Sequence, residues 1–160
     1  MITEKLQAAI NEQITAEMWS SNLYLAMSFY LDAAGYPGMA SWMKKQSEEE
    51  LEHAYDMASY VTKRGGRALV SAIDAVPNEF GTPLEVFEQV YAHECKVSAL
   101  IDALVDVASA EHDKATQDFL WGYVREQVEE ESTAQGIVDM LKNAGPHGAY
   151  HVDEKLAERK

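Results

Sequence analysis

Apolar residues recur along this chain at alternating steps of three and four, the spacing that places side chains on one face of an α-helix. The pattern predicts four long helices, over residues 3–34, 38–64, 82–111 and 114–143, and a short amphipathic helix at about residues 152–158. Because so short a helix is unstable alone, the last one must dock on the others. The predicted fold class is therefore all-α, a four-helix bundle with a short C-terminal fifth helix.

The same spacing predicts which face of each helix points into the core. On the first helix this core face is Leu6, Ile10, Gln13, Glu17, Ser20, Tyr24, Met27 and Leu31. On the third helix it is Leu84, Phe87, Tyr91, Glu94, Ser98, Ile101, Val105 and Ala108.

The segments between the predicted helices indicate how the helices are arranged. The short turn at residues 35–38 makes the first two helices antiparallel neighbours. Residues 66–81 show no helical period and, at about 3.3 Å per extended residue, are long enough to run the length of a bundle. Thr82-Pro-Leu-Glu85 has the sequence of a capping box and starts the third helix. One long crossover connection therefore predicts that the second and third helices are parallel.

Each of the four core faces carries charged or amide side chains near its midpoint, where apolar residues are expected. Glu50 and His53 are three residues apart on the second helix and therefore share a face. Burying a carboxylate is costly unless a partner compensates its charge. An i, i+3 Glu and His that point into a helical bundle are typical of carboxylate-bridged metal sites. The other polar residues on these faces include Glu17, Glu94, Gln127 and Glu130.

Four helices packed side by side would bring these groups to one level. Carboxylates gathered in a dry core repel one another and raise each other's pKa, and two divalent cations would cancel that charge. Carboxylates with one imidazole favour iron or manganese over copper, although zinc competes. The alternative is that some of these residues lie off the core through a slipped register. Because all four helices carry such groups, we predict a buried dinuclear metal site.

Composition narrows the class of protein. A chain of 160 residues predicts a single domain over residues 1–160, and 13 basic against 27 acidic residues give a net charge of −14. This charge disfavours nucleic acid and anionic membranes as partners, and it suits cation attraction or simply solubility. Cys95 is the only cysteine, so a cysteine-based cluster within one chain is excluded. Without a recognisable signal peptide or membrane span, we expect a cytoplasmic protein.

Five short motifs lie in order along the four helices. They are Asn11-Glu-Gln-x-x-x-Glu17, Ser20-Ser-x-x-Tyr24, Glu49-Glu-x-x-His53, Tyr91-x-His-Glu94 and Tyr123-Val-x-Glu-Gln-x-Glu-Glu-Glu131. As an ordered set they resemble those of the bacterial non-haem ferritins, over essentially the whole chain. The resemblance implies the ferritin-like fold and a hollow shell of 24 identical chains.

The resemblance also implies a function, which is iron storage and detoxification. Fe(II) would be oxidised by O₂ or peroxide at a di-iron ferroxidase centre, and the ferric product would mineralise inside the shell. Glu17, Glu50 and His53 would hold one iron. Glu50 would bridge to a second iron, held with Glu94 and Glu130. Two further residues would assist, with Gln127 beside the second iron and Tyr24 as a phenol that lends an electron.

A third, weaker iron site facing the shell interior is implied as well. Its residues would be Glu49, Glu126, Glu129 and Glu130. The alternative for Glu49, Glu126 and Glu129 is a solvated acidic face, and the alternative for Tyr24 is core packing with a satisfied hydroxyl. His93 lies off the predicted core face and is expected at the surface rather than in a metal site.

Other classes of helical protein remain as alternatives. Di-iron oxygenases and haem-containing bacterioferritins typically repeat Glu-x-x-His on the fourth helix, where this chain has Gln127-Val-Glu-Glu130. Leu51 stands where bacterioferritins carry the haem-ligating methionine, so we expect no haem. A metal-free helical interaction module would bind no iron. A mini-ferritin that coats DNA is disfavoured, because its metal site lies between subunits and this chain has no basic tail beyond the mixed residues 155–160.

Overall fold

The computed structural model describes all residues from Met1 to Lys160 and contains no β-strand. The four long helices match the predicted ones to within a residue or two, and the all-α fold is confirmed. The fifth helix begins at Ala149 rather than at Val152, after a single 3₁₀ turn over Pro146–Gly148. The helices are α1 (Glu4–Ala33), α2 (Pro37–Lys63), α3 (Pro83–Ala110), α4 (Lys114–Ala144) and α5 (Ala149–Leu156).

Side-chain contacts show the direction of each helix. Ser21 Oγ donates to the carbonyl of Ser47, and Ser28 Oγ donates to the carbonyl of Ala40, so α1 and α2 are antiparallel. Between α1 and α3, the contacts Thr3–Glu111 and Tyr24–Glu94 also run in opposite chain directions. Helices α2 and α3 are therefore parallel, as a long crossover requires.

The crossover, residues 64–82, is held along α1 by side chains of that helix. Asn11 donates to the carbonyl of Arg67 at 3.0 Å and accepts from the backbone N–H of Leu69 at 2.9 Å. At the other end, the Tyr30 hydroxyl donates to the carbonyl of Gly81 at 2.7 Å. A long loop that lacks its own secondary structure thus satisfies part of its backbone on the bundle.

Local sequence signals account for most helix starts. Thr82 and Glu85 form the predicted capping box, in which Glu85 Oε2 accepts from the Thr82 N–H at 2.7 Å. Helix α2 has no cap from its own N-cap residue, Tyr36. Instead, Asp153 of α5 accepts from the N–H of Met39 at 2.7 Å. A Cβ at Gly38 would collide with the carbonyl of Asp153, so this close approach of α5 to α2 requires glycine.

The apolar core consists of two clusters, one toward each end of the bundle. One contains Met27, Met43 and Phe87, and the other contains Ile10, Met57 and Ile101. The methionines of α2, Met39, Met43 and Met57, are fully buried. The polar residues near the middle of the four helices lie between these two clusters. No helix combines the length and apolarity needed to cross a membrane.

The predicted core face is correct for α1, where all of its members are buried, and partly wrong for α3. Leu84, Tyr91, Ser98 and Val105 of α3 are only half-buried. Their places in the core are taken by Val86, Val90, Val97 and Leu104, together with the correctly predicted Phe87, Glu94, Ile101 and Ala108. Helix α3 is therefore rotated slightly from the predicted orientation.

Candidate metal centre

Three predicted ligands meet at the middle of the bundle. Glu17 of α1 and Glu50 and His53 of α2 each offer one ligand atom, and these atoms all lie within 4.8 Å of one another. His53 Nδ1 lies 3.8 Å from Glu17 Oε2 and 3.5 Å from Glu50 Oε2. All three residues are buried, with Glu17 only 1% and Glu50 only 2% exposed. A buried set of two carboxylates and an imidazole matches the ligand preferences of iron, manganese or zinc.

The other ring nitrogen of His53 points away from this trio. His53 Nε2 lies 2.8 Å from Glu126 Oε1 of α4. Burial disfavours a charged imidazole, but the hydrogen bond to Glu126 and the nearby carboxylates of Glu17 and Glu50 raise the pKa of His53 well above its usual value. Conversely, the hydrogen bond from His53 lowers the pKa of Glu126. The metal-free site is thus partly compensated by a protonated imidazole.

The two buried carboxylates of the trio differ in their affinity for protons. Burial raises the pKa of Glu50 well above its ordinary value, and the nearby charge of Glu17 raises it further. Burial acts on Glu17 too, but the nearby imidazole of His53, the carboxyl group of Glu50 and the hydrogen bond from Gln13 hold the pKa of Glu17 below its ordinary value. The metal-free pair therefore favours one protonated and one ionised carboxyl group, and a cation would replace that proton.

Two neutral amides position the carboxylates. Gln13 Nε2 donates to Glu17 Oε1 at 3.0 Å. Gln46 Nε2 donates to Glu130 Oε2 at 2.9 Å and approaches Glu50 Oε1 at 3.4 Å, so it links α2 to α4. Glu17 Oε2 and Gln46 Oε1 are buried and have no hydrogen-bond partner. An unpaired buried carboxylate oxygen is costly, and one that faces His53 and Glu50 suits a cation there.

Glu94 of α3 is in neither of the two groups that could hold a metal ion, but it makes hydrogen bonds with two other predicted site residues. The Tyr24 hydroxyl donates to Glu94 Oε1, and Gln127 Nε2 donates to Glu94 Oε2 at 3.1 Å. Burial raises the pKa of Glu94 and of Glu50, and each lies near enough to other carboxylates for their charges to add to the effect. Burial likewise raises the pKa of Glu130 to about 7. The charge of Glu94 therefore interacts with those of Glu17 and Glu50, and the charge of Glu130 interacts with that of Glu94.

The residues predicted for a third site do not all lie together. Glu49, His53 and Glu126 form a second group whose ligand atoms lie within 4.8 Å of one another. Glu49 is half-buried and Glu129 is exposed. The structure therefore brings Glu49 and Glu126 together beside His53, whereas Glu129 lies in solvent.

The prediction that His93 lies at the surface is wrong. His93 is half-buried between Trp19 and Tyr24, with ring centroids 5.5 and 5.8 Å away. Its Nε2 is hydrogen-bonded to Ser20 Oγ at 2.8 Å. Burial lowers the pKa of His93 to about 4, so the imidazole is neutral at pH 7. His93 is in neither of the two groups that could hold a metal ion.

Some contributors to the centre were not singled out from the sequence. Gln13 and Gln46 are the clearest cases, although each precedes a buried glutamate by four residues and can therefore reach it. The guanidinium of Arg159 donates to Glu49 Oε2 at 2.8 Å, and no sequence pattern near Arg159 predicts this contact. A contact between residues so distant in sequence depends on how α5 docks.

The fold and the site define a ferritin-like helical bundle with a carboxylate–histidine centre. The model of the ferritin-like domain matches residues 7–144. The chain belongs to the ferritin family, and its resemblance to the bacterial non-haem ferritins is confirmed. It is 67% identical to the bacterial non-heme ferritin of Bacteroides fragilis, over 99% of this chain and 100% of that protein. A probable bacterial non-heme ferritin-like protein of Haemophilus influenzae is 36% identical, over 98% of this chain and 96% of that protein.

Solved structures agree with this assignment. The chain superposes on an open pore ferritin of the archaeon Archaeoglobus fulgidus with a TM-score of 0.97. The two chains are 43% identical, and the match covers 100% of each. Family membership supports iron storage as the function and iron as the metal bound.

Proposed function

We propose that this protein oxidises Fe(II) at an intrasubunit di-iron centre and stores the ferric product. The observation that carries the proposal is the buried trio of Glu17, Glu50 and His53, in which one carboxylate oxygen of Glu17 has no partner. A buried carboxylate oxygen without a partner destabilises a fold, so its presence points to a functional role such as metal binding. Glu50 belongs to the trio and is also close enough to Glu94 for that charge to raise its pKa, so it is suited to bridge two metal ions.

The protein residues prepare the site for two Fe(II) ions, which are the substrate. His53 and Glu50 give up protons as the cations enter, because each ligand must be deprotonated to bind. Gln13 and Gln46 hold Glu17 and Glu130 in position by donating to them. Two Fe(II) ions together supply the two electrons that, with two protons, convert O₂ to H₂O₂ or H₂O₂ to two water molecules.

The second half of the centre favours passage of iron over its retention. Glu94 and Glu130 offer carboxylates, and Glu130 stands where the fourth helix of an oxygenase carries a second imidazole, while Gln127 stands in place of its glutamate and donates to Glu94. We propose that Tyr24, which donates to Glu94, is the phenol that lends an electron. A weaker second site suits ferric iron that leaves for a mineral core. The absence of haem, with Leu51 at the corresponding position, is part of the same proposal.

We also propose that the chain assembles into a cytoplasmic shell of 24 copies. Support comes from large apolar side chains that the isolated subunit exposes, among them Phe29 at 65%, Tyr55 at 60% and Tyr150 at 61%. Exposed aromatic residues of this size are typical of protein interfaces. Neither nucleic acid nor a membrane is expected as a partner, given the net charge of −14. Light scattering would report the mass of the assembly.

Stopped-flow mixing of the metal-free protein with Fe(II) and O₂ tests the ferroxidase proposal. We expect a fast phase that consumes about two Fe(II) per chain, followed by slower turnover and a soluble mineral. His53→Ala should abolish the fast phase, whereas the exposed histidine variant His151→Ala should keep it. If the wild-type protein shows no fast phase, or if His53→Ala retains it, the ferroxidase assignment is wrong.

A further inference from the structure

The C-terminal tail beyond α5 returns to α2 and ends beside the metal centre. The Arg159 guanidinium stacks over the Trp42 ring, 4.6 Å from its centroid, and donates to the Trp42 carbonyl at 3.1 Å. Its other terminal nitrogen, Nη2, donates to Glu49 Oε2 at 2.8 Å. Lys45 donates to the carbonyl of Arg159 and fixes the backbone there. Arg159 is therefore seated by its backbone, its aromatic stacking and its ion pair.

Glu49, the carboxylate that Arg159 binds, also belongs to the outer group of potential ligands. Glu49, His53 and Glu126 offer ligand atoms within 4.8 Å of one another, adjoining the buried trio through the shared His53. A carboxylate that pairs with a guanidinium at 2.8 Å is already neutralised by a cation of the protein itself. A metal ion that uses Glu49 must share or displace that cation.

We propose that Arg159 is an internal counter-ion that competes with metal for Glu49 and thereby sets the affinity of the outer Glu49–Glu126 site. The inference deepens the proposed function, on which it rests, because the outer site adjoins the ferroxidase centre. With Arg159 seated, a third ion binds weakly and the two inner positions fill first. When the tail is released, Glu49 is free to bind a metal ion, and the outer site can then bind the third ion more tightly.

The strength of this competition follows from the environment of the pair. Both side chains are partly buried, Arg159 at 24% and Glu49 at 34% exposed, so solvent screens them only in part. Arginine is well suited to this role because its planar guanidinium binds a carboxylate and stacks on an indole at once. Loss of a charge-assisted hydrogen bond of this kind corresponds to about a tenfold change in a competing equilibrium.

Calorimetric titration of the metal-free protein with Zn²⁺ tests the proposal without oxidation chemistry. We expect the wild-type protein to bind two ions per chain tightly and a third weakly. Arg159→Ala should tighten the third ion about tenfold and leave the first two unchanged. Arg67→Ala is the matched control, because it removes the same charge from an exposed residue on the crossover. In this variant the third ion should bind with the wild-type affinity. Equal third-ion affinities in the two variants would overturn the proposal.

A double-mutant cycle separates competition from a general loosening of the tail. In a Glu49→Gln background the target carboxylate is gone, so Arg159→Ala should no longer change the third affinity. A change that persists in this background would show that Arg159 acts other than through Glu49 and would refute the inference. If the wild-type protein does not bind two ions tightly, the proposed ferroxidase centre is wrong. The double-mutant cycle would still decide whether Arg159 competes for Glu49.

Discussion

His53 presents its two ring nitrogens to different carboxylates, with Nδ1 3.5 Å from Glu50 Oε2 and Nε2 2.8 Å from Glu126 Oε1. The ring is thereby oriented across the gap between α2 and α4. A histidine ligand is commonly held in this way, since a carboxylate on the far nitrogen fixes the ring and raises its basicity. Glu126 therefore positions His53, in addition to its predicted place in an outer site.

Glu126→Gln should weaken the first metal position even though Glu126 lies outside the buried trio. The variant replaces a charged acceptor by a neutral amide, so His53 loses the partner that orients it. We expect the affinity for the first Zn²⁺ or Fe(II) to fall about 10- to 100-fold. Anaerobic calorimetry provides the measurement, and Glu52→Gln, at an exposed neighbour of His53, is the control. An unchanged first affinity would mean that Glu126 serves the outer site alone.

The sequence was sufficient to predict the helices and the meeting of Glu17, Glu50 and His53. On α1 and α2 the polar members stand at steps of three and four among apolar residues, and spacing of this kind predicts which face is buried. For α3 the pattern was ambiguous. Val90 and Tyr91 are adjacent apolar residues, and only packing against α1 and α4 decides that Val90 is the more deeply buried.

The remaining discrepancies concern residues whose partners are distant in sequence. His93 lies off the predicted core face, yet Ser20 and Trp19 of α1 cover it. Arg159 reaches Glu49 only because α5 folds back on α2. Helical periodicity describes one helix at a time and carries no information about such contacts, which depend on how neighbouring helices dock.

The stability of the metal-free protein should respond to pH through Glu130. Burial raises the pKa of Glu130 from 4.5 to about 7, so the folded state binds this proton more tightly than the unfolded state. The stabilisation is fully present below pH 4.5 and is lost as the pH rises through about 7. Glu130→Gln removes this dependence. As the pH rises from 4.5 to about 7, the wild type should therefore lose about 3 kcal/mol of stability relative to the variant.

Urea unfolding in the presence of a chelator would measure this difference. The comparison with the variant is needed because His93, whose pKa is lowered to about 4, contributes stability that is present above pH 6.5 and is lost as the pH falls. Its contribution has the opposite sign and cancels in the difference. Glu129→Gln, at an exposed position, is the control. A constant difference between wild type and Glu130→Gln would show that Glu130 is solvated in the folded protein.

Ser20→Ala should destabilise the protein by leaving His93 without its hydrogen-bond partner. The Ser20 Oγ–His93 Nε2 hydrogen bond of 2.8 Å lies in a half-buried position between α1 and α3. An unsatisfied buried nitrogen costs about 1–3 kcal/mol. Ser59→Ala, at an exposed position on α2, should change the free energy of unfolding by less than about 0.5 kcal/mol.

A second variant shows whether the loss comes from the unpaired nitrogen. Replacing both partners by apolar groups is close to neutral when the shape is conserved. Ser20→Ala combined with His93→Phe should therefore recover part of the lost stability in urea unfolding. A double variant as unstable as the sum of its single changes would point to lost packing instead.

Asp153 of α5 caps α2 from outside that helix, because its carboxylate accepts the N–H of Met39 at 2.7 Å while Tyr36 offers no side-chain cap. Asp153→Ala should lower the free energy of unfolding by about 1 kcal/mol, as loss of an N-cap does, and Asp153→Asn should restore most of it. Glu154→Ala removes the same charge from an exposed neighbour and should have little effect. Hydrogen exchange at the Met39 amide adds a local measurement, since this N–H should lose protection in Asp153→Ala but keep it in Glu154→Ala. Equal protection in both variants would show that α5 is not what caps α2.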